Sequence, residues 1–481
     1  MNKLALMVLL TAIGVGGSLA LSPVYGVAIY YLFAVLRPQF LWEWALPPDV
    51  AWSYYVAMSA IFAVVVWRVG VALAPQRHPG FNPPTLNHCH WAMIFFAFWI
   101  TLTFLNAQNE SVAKPFYDEY QKIFIMFAVA ALAVTSVRHL WALYLIITLS
   151  LVYIAIDVNH IYFANGGYML IFKRGYAGLD NNGAALMLAM GVPLCLFAWD
   201  GIKHWSRWGF LLAVPLLIHA VLTSYSRGAM LALILSVPVY LIRCNHKKQL
   251  LLILFGIAML VPILAGKEIQ ERFFSIDKHD QDASAQSRLT TWGIAWRMAC
   301  ERPVLGFGIR NSSLYTREYG ADMEGRVIHS QYLQIAADSG MVGLAAYLFV
   351  IGTFFYCLRR VRHCRKGHRG IVSALLTFGA FLTLRNFVKP AEVGRDDPEI
   401  DRAVTIANGM EGALLVFLFG GIFLSLETFE LPYLVFFVGA QLWSVVRLAE
   451  SVPVAQPALM RMAVPALHDG TTIPAGTRAL A

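Results

Sequence analysis

Arg227, Arg288 and His329 are the residues of this chain whose types and settings suit chemistry on a charged, oxygen-rich substrate. Arg227 follows the polar run Thr223 to Ser226 between two apolar stretches, and an arginine held near lipid is costly enough to need a reason. A planar guanidinium presents paired donors to a phosphate, so a phosphate clamp is the functional reading, with a snorkelling cation at a helix end as the alternative. Arg288 heads a helical stretch and carries the same choice between phosphate ligand and solvated loop cation. His329 precedes Ser330, an expected N-cap, and the periodic run Tyr332, Leu333, Ala336 predicts that a helix starts there. A helix N-terminus disfavours imidazolium, so the ring is expected to be neutral and able to take a proton from a hydroxyl near neutral pH.

Lys173 and Arg174, followed by the turn-rich Gly178 to Gly183, are candidates for binding an anionic headgroup, although cations flanking a span are common at any membrane surface. His88-Cys89-His90 has the look of a metal fragment but lacks further ligands and reads as a cap before a span. The triplets Asp280-Gln281-Asp282 and Glu399-Ile400-Asp401 have the spacing that holds a metal on phosphates, a pattern that acidic loops also produce by chance. No metal is expected. The chain has no Walker loop, no G-x-S-x-G elbow and no dinucleotide fingerprint, so no cofactor is expected and the substrate itself must supply the driving energy.

The elements that must hold these residues are membrane helices. Of 481 residues, 58% are hydrophobic and 14% charged, with a mean hydropathy of +0.61, too apolar for one soluble domain. Apolar runs near the length a bilayer demands recur at Ala51 to Trp67, Trp91 to Leu105, Trp141 to Ile156, Gly183 to Trp199, Leu250 to Gly266 and Met341 to Leu358. At the ends, Leu4 to Leu36 and Leu414 to Val446 each read as one broken span or two short ones. The expectation is an all-α polytopic membrane protein of about 12 transmembrane helices, with spans in 1–266 and 335–450, a long loop at 267–334 and a disordered tail at 451–481.

The net charge of +9 does not point to nucleic acid, because the cations gather in short loops: six and no acid between Arg359 and Arg369, three between Arg243 and Lys248. That pattern keeps loops cytoplasmic, which sends 267–334 to the opposite side together with the turn at Ser224 to Gly228 and the loop at Asn159 to Asn182. The same alternation puts the basic stretch Arg68 to His90 inside. The six cysteines show no metal spacing and imply no disulfide framework. Within the long loop, nine cations balance nine acids, and Leu289, Trp292 and Trp296 recur at helical spacing, which predicts an amphipathic helix on the membrane or against the bundle. Pro303 and Gly306-Phe307-Gly308 break it, and the loop reads as folded.

Ser224-Tyr225-Ser226-Arg227-Gly228, Ser287-Arg288-Leu289-Thr290-Thr291-Trp292 and His329-Ser330-Gln331-Tyr332-Leu333, the last ahead of Gly340-Met341-Val342-Gly343, together resemble the O-antigen ligase and polymerase superfamily, most closely over residues 180 to 360. Pro23-Val24-Tyr25-Gly26 and Arg37-Pro38-Gln39 look similar to the start of the ligase branch associated with exosortase systems. The resemblance implies a bacterial inner-membrane enzyme that moves a glycan from undecaprenyl diphosphate to lipid A core at the periplasmic face, with no nucleotide or required metal. It assigns Arg227 and Arg288 to the diphosphate and His329 to the acceptor hydroxyl, and implies inversion at the anomeric centre. A polymerase acting on another lipid-linked repeat and a ligase acting on protein share the same donor clamp. A transporter or flippase instead calls for paired broken helices in two repeated halves, against which the long folded loop argues. The charged stretch Arg395 to Arg402 matches no feature of the family.

Overall fold

Backbone N–H and C=O groups inside a bilayer find no water, so apolar segments satisfy them internally as helices. The computed structural model describes residues 2–73, 85–259, 283–323, 325–365 and 397–451, and these hold no β-strand. In chain order the helices are α1 (Lys3–Ala20), α2 (Pro23–Leu36), α3 (Pro38–Leu41), α4 (Trp52–Leu73), α5 (His88–Leu105), α6 (Glu110–Ala133), α7 (Val137–Ala164) and α8 (Leu170–Arg174). There follow α9 (Asn181–Gly201), α10 (Arg207–Leu222), α11 (Arg227–Arg243) and α12, helical over 247–259. After a gap in the described residues come α13 (Ala283–Glu301), α14 (Gln331–His363), α15 (Pro398–Gly420) and α16 (Glu430–Ser451).

Eight of these are long and apolar enough to cross a membrane, and α2 and α10 are shorter apolar helices. By that measure the described residues fall short of the expected twelve spans. Both ambiguous ends resolve into pairs: α1 and α2 meet at Leu21, and α15 and α16 are separated by the loop 421–429. The expected span Leu250 to Gly266 lies within the described residues only as far as 259, and Asp280, Asp282 and the tail beyond 451 lie outside them.

Helix ends sort into two sets. At one end, Tyr176 Oη donates to the Leu36 carbonyl at 2.5 Å, Asn181 Nδ2 to that of Ser224 at 3.0 Å and Asn311 Nδ2 to that of Asn109 at 3.1 Å. At the other, Asn87 Nδ2 donates to the Ala440 carbonyl at 2.6 Å and Arg68 Nη2 to that of Leu132 at 2.8 Å, while Arg138 pairs with Glu399 and Arg365 with Asp401. The second end carries the Arg243 to Lys248 loop and the described part of the other cation-rich loop, Arg359 to Arg365. It also takes up the acidic triplet at Glu399, two of whose acids are engaged by arginines, and part of the Arg395 to Arg402 stretch.

Helix α9 forms the centre. Its most apolar window is 94% buried against 17% for α1, which leaves α1 at the periphery facing lipid. Small residues along Gly183–Ala198 let α15, α10, α11 and α7 approach it closely. Near the basic end a buried carboxylate ties three helices: Glu411 of α15 accepts from Arg243 Nε of α11 at 2.8 Å and from Arg362 Nη2 of α14 at 2.5 Å. Removing one partner of a buried ion pair strands the others without water, at a cost of about 3–5 kcal/mol. Glu411→Ala is therefore expected to lower the thermal midpoint sharply or abolish monodisperse protein, and Glu411→Gln to do so less; a midpoint unchanged in both would show that this triad does not hold the bundle.

The segment 283–330 is folded, as its balanced charge suggested, around a second small core of Ile294, Ala295, Met298, Phe307, Ile328 and Ala337. The buried face of α13 is Thr291, Ile294, Ala295 and Met298, beside the Leu289–Trp292–Trp296 stripe expected on the membrane or against the bundle. Leu289 and Trp296 are 55% and 53% exposed, while Trp292 packs on Phe423. Contact with α14 rather than local pattern selected the face. Helix α14 is broken at Gly340, whose φ of 74° is open to glycine but strained for other residues. A Cβ there would lie 2.2 Å from the Val304 carbonyl oxygen, and one on Gly306 would lie 2.4 Å from that of Asp338, so the loop after α13 can press against the break only because both side chains are absent. The buried Asp338 carboxylate then accepts from the Arg310 and Ser312 backbone N–H groups, each at 3.0 Å, and from Gln334 Nε2 at 2.8 Å, fixing the loop to the helix.

Candidate functional site

Three chain segments converge at the end of the bundle opposite the basic loops. The first is the turn into α11. Ser224 Oγ accepts from the Ser226 N–H at 3.1 Å, Tyr225 adopts the left-handed region at φ 56°, and Ser226 caps α11 by accepting from the Ala229 N–H. Arg227 is thereby the first residue of a 17-residue helix. A cation at the positive end of a helix is disfavoured by about 0.3–1 kcal/mol, a cost that an anion bound beside it would offset.

The second segment is the turn into α9. Asp180 caps it by accepting from the Gly183 N–H at 2.8 Å, and Asn181 is held to Ser224. Two helix N-termini, those of α9 and α11, thus stand side by side. The third is α13, which brings in Arg288. Together Phe172, Asn181, Asn182, Tyr225, Arg227, Gly228 and Arg288 line a cavity of about 200 Å³. Two arginines and the first residues of two helices therefore border one small cavity, a combination of groups that suits an anion.

His329 stands in the turn between α13 and α14. Its φ of 53° is left-handed, a conformation that costs a non-glycine residue about 1–3 kcal/mol and persists only where surroundings impose it. They do so from both sides. Thr291 Oγ1 donates to the Ile328 carbonyl at 3.3 Å and Trp292 Nε1 to that of His329 at 3.4 Å. From the 421–429 loop, Ser425 Oγ accepts from the Ser330 N–H at 3.1 Å and the Gly421 carbonyl from the Gln331 N–H at 2.8 Å. Ser330 occupies the N-cap position as expected, but its side chain makes no capping bond. The half-buried imidazole is held below its ordinary range, first by burial and next by the Arg288 cation, with Asp180 opposing. Both causes favour the neutral ring, and they include a site arginine beside it rather than the helix end alone.

Lys173 and Arg174 end α8 and do not line the cavity. Arg174 pairs with Glu43 at 3.0 Å on the surface, and Lys173 Nζ lies 5.4 Å from the Phe172 ring, so it is Phe172 of this segment that reaches the site. His90 of the His88-Cys89-His90 run is buried, bonds Gln441 at 3.0 Å and completes a capping box with Asn87, the cap before a span that its setting suggested. Sequence reasoning did not assign Asn181, Asn182, Tyr225 or the loop carrying Gly421, Phe423 and Ser425. The Asp-Asn-Asn cap ahead of an apolar helix was a usable signal for the first two; the loop offered none, since its role rests on contacts with residues far away in the chain.

An apolar helical bundle, eight of whose helices are long and apolar enough to cross a membrane, defines a multi-pass membrane protein, here with an arginine-lined cavity at one end. Residues 211–348 match the family model described as O-antigen ligase, so the resemblance to that superfamily holds over the segment that carries Arg227, Arg288 and His329. The match implies a membrane enzyme of glycan transfer, of ligase or polymerase type. No curated protein matches the chain.

Proposed function

We propose that the protein is a glycosyltransferase of the O-antigen ligase type, which moves a glycan from undecaprenyl diphosphate to lipid A core at the periplasmic face of the bacterial inner membrane. The observation that carries the reading is that Arg227 and Arg288 line one cavity while the Arg288 charge acts on His329, all within the matched segment. The arginines hold the diphosphate. His329 takes the proton of the acceptor hydroxyl as its oxygen bonds to the anomeric carbon and the bond from that carbon to the diphosphate oxygen breaks. The leaving diphosphate gains negative charge, which the two guanidinium groups and the α9 and α11 N-termini stabilise. One displacement inverts the anomeric centre, and neither metal nor cofactor takes part. Lys173 and Arg174 act at the headgroup region beside the cavity, where membrane lipid meets the protein. The basic end faces the cytoplasm, in keeping with the charge of its loops.

The test is transfer by purified wild-type protein in detergent with a lipid-linked glycan and, in separate reactions, lipid A core, a peptide rich in hydroxyl side chains, or further lipid-linked glycan. Glycosylated lipid A core is the expected product. Longer lipid-linked chains would assign a polymerase and glycopeptide a protein ligase, and no transfer to any of the three would overturn the enzyme reading.

A further inference from the structure

The loop 421–429 closes on the residues after His329 through three hydrogen bonds. Ser425 Oγ accepts from the Ser330 N–H at 3.1 Å, the Gly421 carbonyl from the Gln331 N–H at 2.8 Å, and Gln331 Oε1 from the Leu426 N–H at 2.7 Å. A fourth bond, from Tyr332 Oη to the Leu418 carbonyl at 2.8 Å, ties the same turn of α14 to the end of α15. The turn that carries His329 is therefore completed by a loop outside the matched segment 211–348.

The next residue of that loop is Glu427. Its side chain is buried, its Oε1 has no hydrogen-bond partner among the described residues, and its backbone carbonyl is pinned by Tyr433 Oη at 2.8 Å. Four elements bring titratable groups to it: Asp338 and Tyr347 from α14, Arg310 from the loop after α13, Tyr120 from α6 and Tyr433 from α16. The Asp338 carboxylate is held by three N–H donors, and the Arg310 guanidinium lies 5.0 Å over the Phe116 ring. An uncharged carboxyl fits this setting, whereas ionisation would set a second negative charge beside Asp338, away from water. Burial first and the Asp338 charge next push the Glu427 carboxyl up to about 8, with Arg310 opposing.

We propose that Glu427 is a positioning residue for His329: as the neutral acid it lets the 421–429 loop close on the turn, and as the carboxylate it drives the loop off and frees the turn. The inference rests on His329 as the proposed base, and it gives transfer a reason to fail on the alkaline side, where the imidazole itself is already unprotonated. In the open loop the carboxyl returns toward its ordinary 4.5, so closing takes up a proton. The closed seam is therefore favoured most below that value, loses up to about tenfold for each pH unit as pH rises, and levels off above about 8.

Hydrogen–deuterium exchange of the full-length protein in detergent, followed by mass spectrometry across neutral and alkaline pH and corrected for the intrinsic pH dependence of exchange, reads the seam at the Ser330, Gln331 and Leu426 N–H groups. In wild type their protection is expected to fall by up to about tenfold per pH unit until about pH 8 and then to level off, and in Glu427→Gln, which keeps the uncharged shape, to stay flat. Protection that does not change with pH in wild type overturns the proposal without any variant, and an equal fall in both proteins overturns the assignment to Glu427. In the transfer assay, wild type should lose kcat/KM on the alkaline side and Glu427→Gln should keep it, with the acid limbs of the two coinciding; an alkaline limb shared by both overturns the positioning role. Exchange that behaves as expected in a protein that transfers nothing at any pH would support the coupling of Glu427 to the turn and refute the transfer reading.

Discussion

His329→Ala is expected to reduce glycan transfer by about 10² to 10⁴-fold, the contribution typical of a positioned general base, while the affinity for the lipid-linked donor changes little. The separation follows from the proposed binding mode, in which Arg227, Arg288 and the starts of α9 and α11 meet the donor's anionic group, whereas His329 lines none of that cavity. Loss of donor binding in parallel with turnover would mean that His329 shapes the cavity and is not the base. The pH profile gives a second reading. A base works only when unprotonated, and this imidazole is shifted down from its ordinary value by burial and by Arg288, so the acid limb of kcat/KM should fall below the usual histidine range near pH 6.5. A limb at or above that value would place the titration on another group. His329→Gln should not restore transfer, since an amide can bond the acceptor but cannot carry away its proton.

Arg227→Gln and Arg288→Gln are each expected to weaken donor binding by about 10- to 100-fold, from the loss of charge-assisted bonds worth about 1.5–3 kcal/mol. Lysine at either position keeps the charge but loses the planar fork, so an intermediate loss is expected, measurable as the Kd of a polyprenyl diphosphate in detergent. The two substitutions should differ in one respect. Removing the Arg288 charge also removes the largest charge that lowers the His329 pKa, so Arg288→Gln should move the acid limb of kcat/KM upward, and Arg227→Gln should move it less. Unchanged donor affinity in both variants would refute the clamp. A limb that moves equally in both would mean that the shift reports donor binding and not the Arg288–His329 interaction.

Much of this site was legible residue by residue. Arg227 stood out because a cation between apolar stretches needs a reason, and His329 because helix starts carry a local signature. The helix ahead of Pro303 was legible too, with its apolar stripe expected on the membrane or against the bundle. Leu289, Trp292 and Trp296 are the largest apolar side chains of α13 and share a spacing, but α14 offers a surface that accepts the smaller Thr291, Ile294, Ala295 and Met298. Periodicity reports that a helix has faces; which one is covered depends on the shape of its neighbour. Lys173 and Arg174 drew attention by charge, while the aromatic beside them, Phe172, is what reaches the cavity.

By itself the sequence determined that this chain is a bundle of membrane helices, that its cations gather in short loops, and that Arg227, Arg288 and His329 are its candidates for chemistry. Those properties depend on local composition and on backbone groups that must be satisfied within a few residues. Only the tertiary structure decided that Arg227 and Arg288 meet across one cavity beside the N-termini of α9 and α11, and that His329 is held in a left-handed turn. That turn is clamped by Ser425, 95 residues further along the chain from its bonded partner Ser330. Such contacts leave no periodic trace, because they arise from side chains that become neighbours only after the helices have packed.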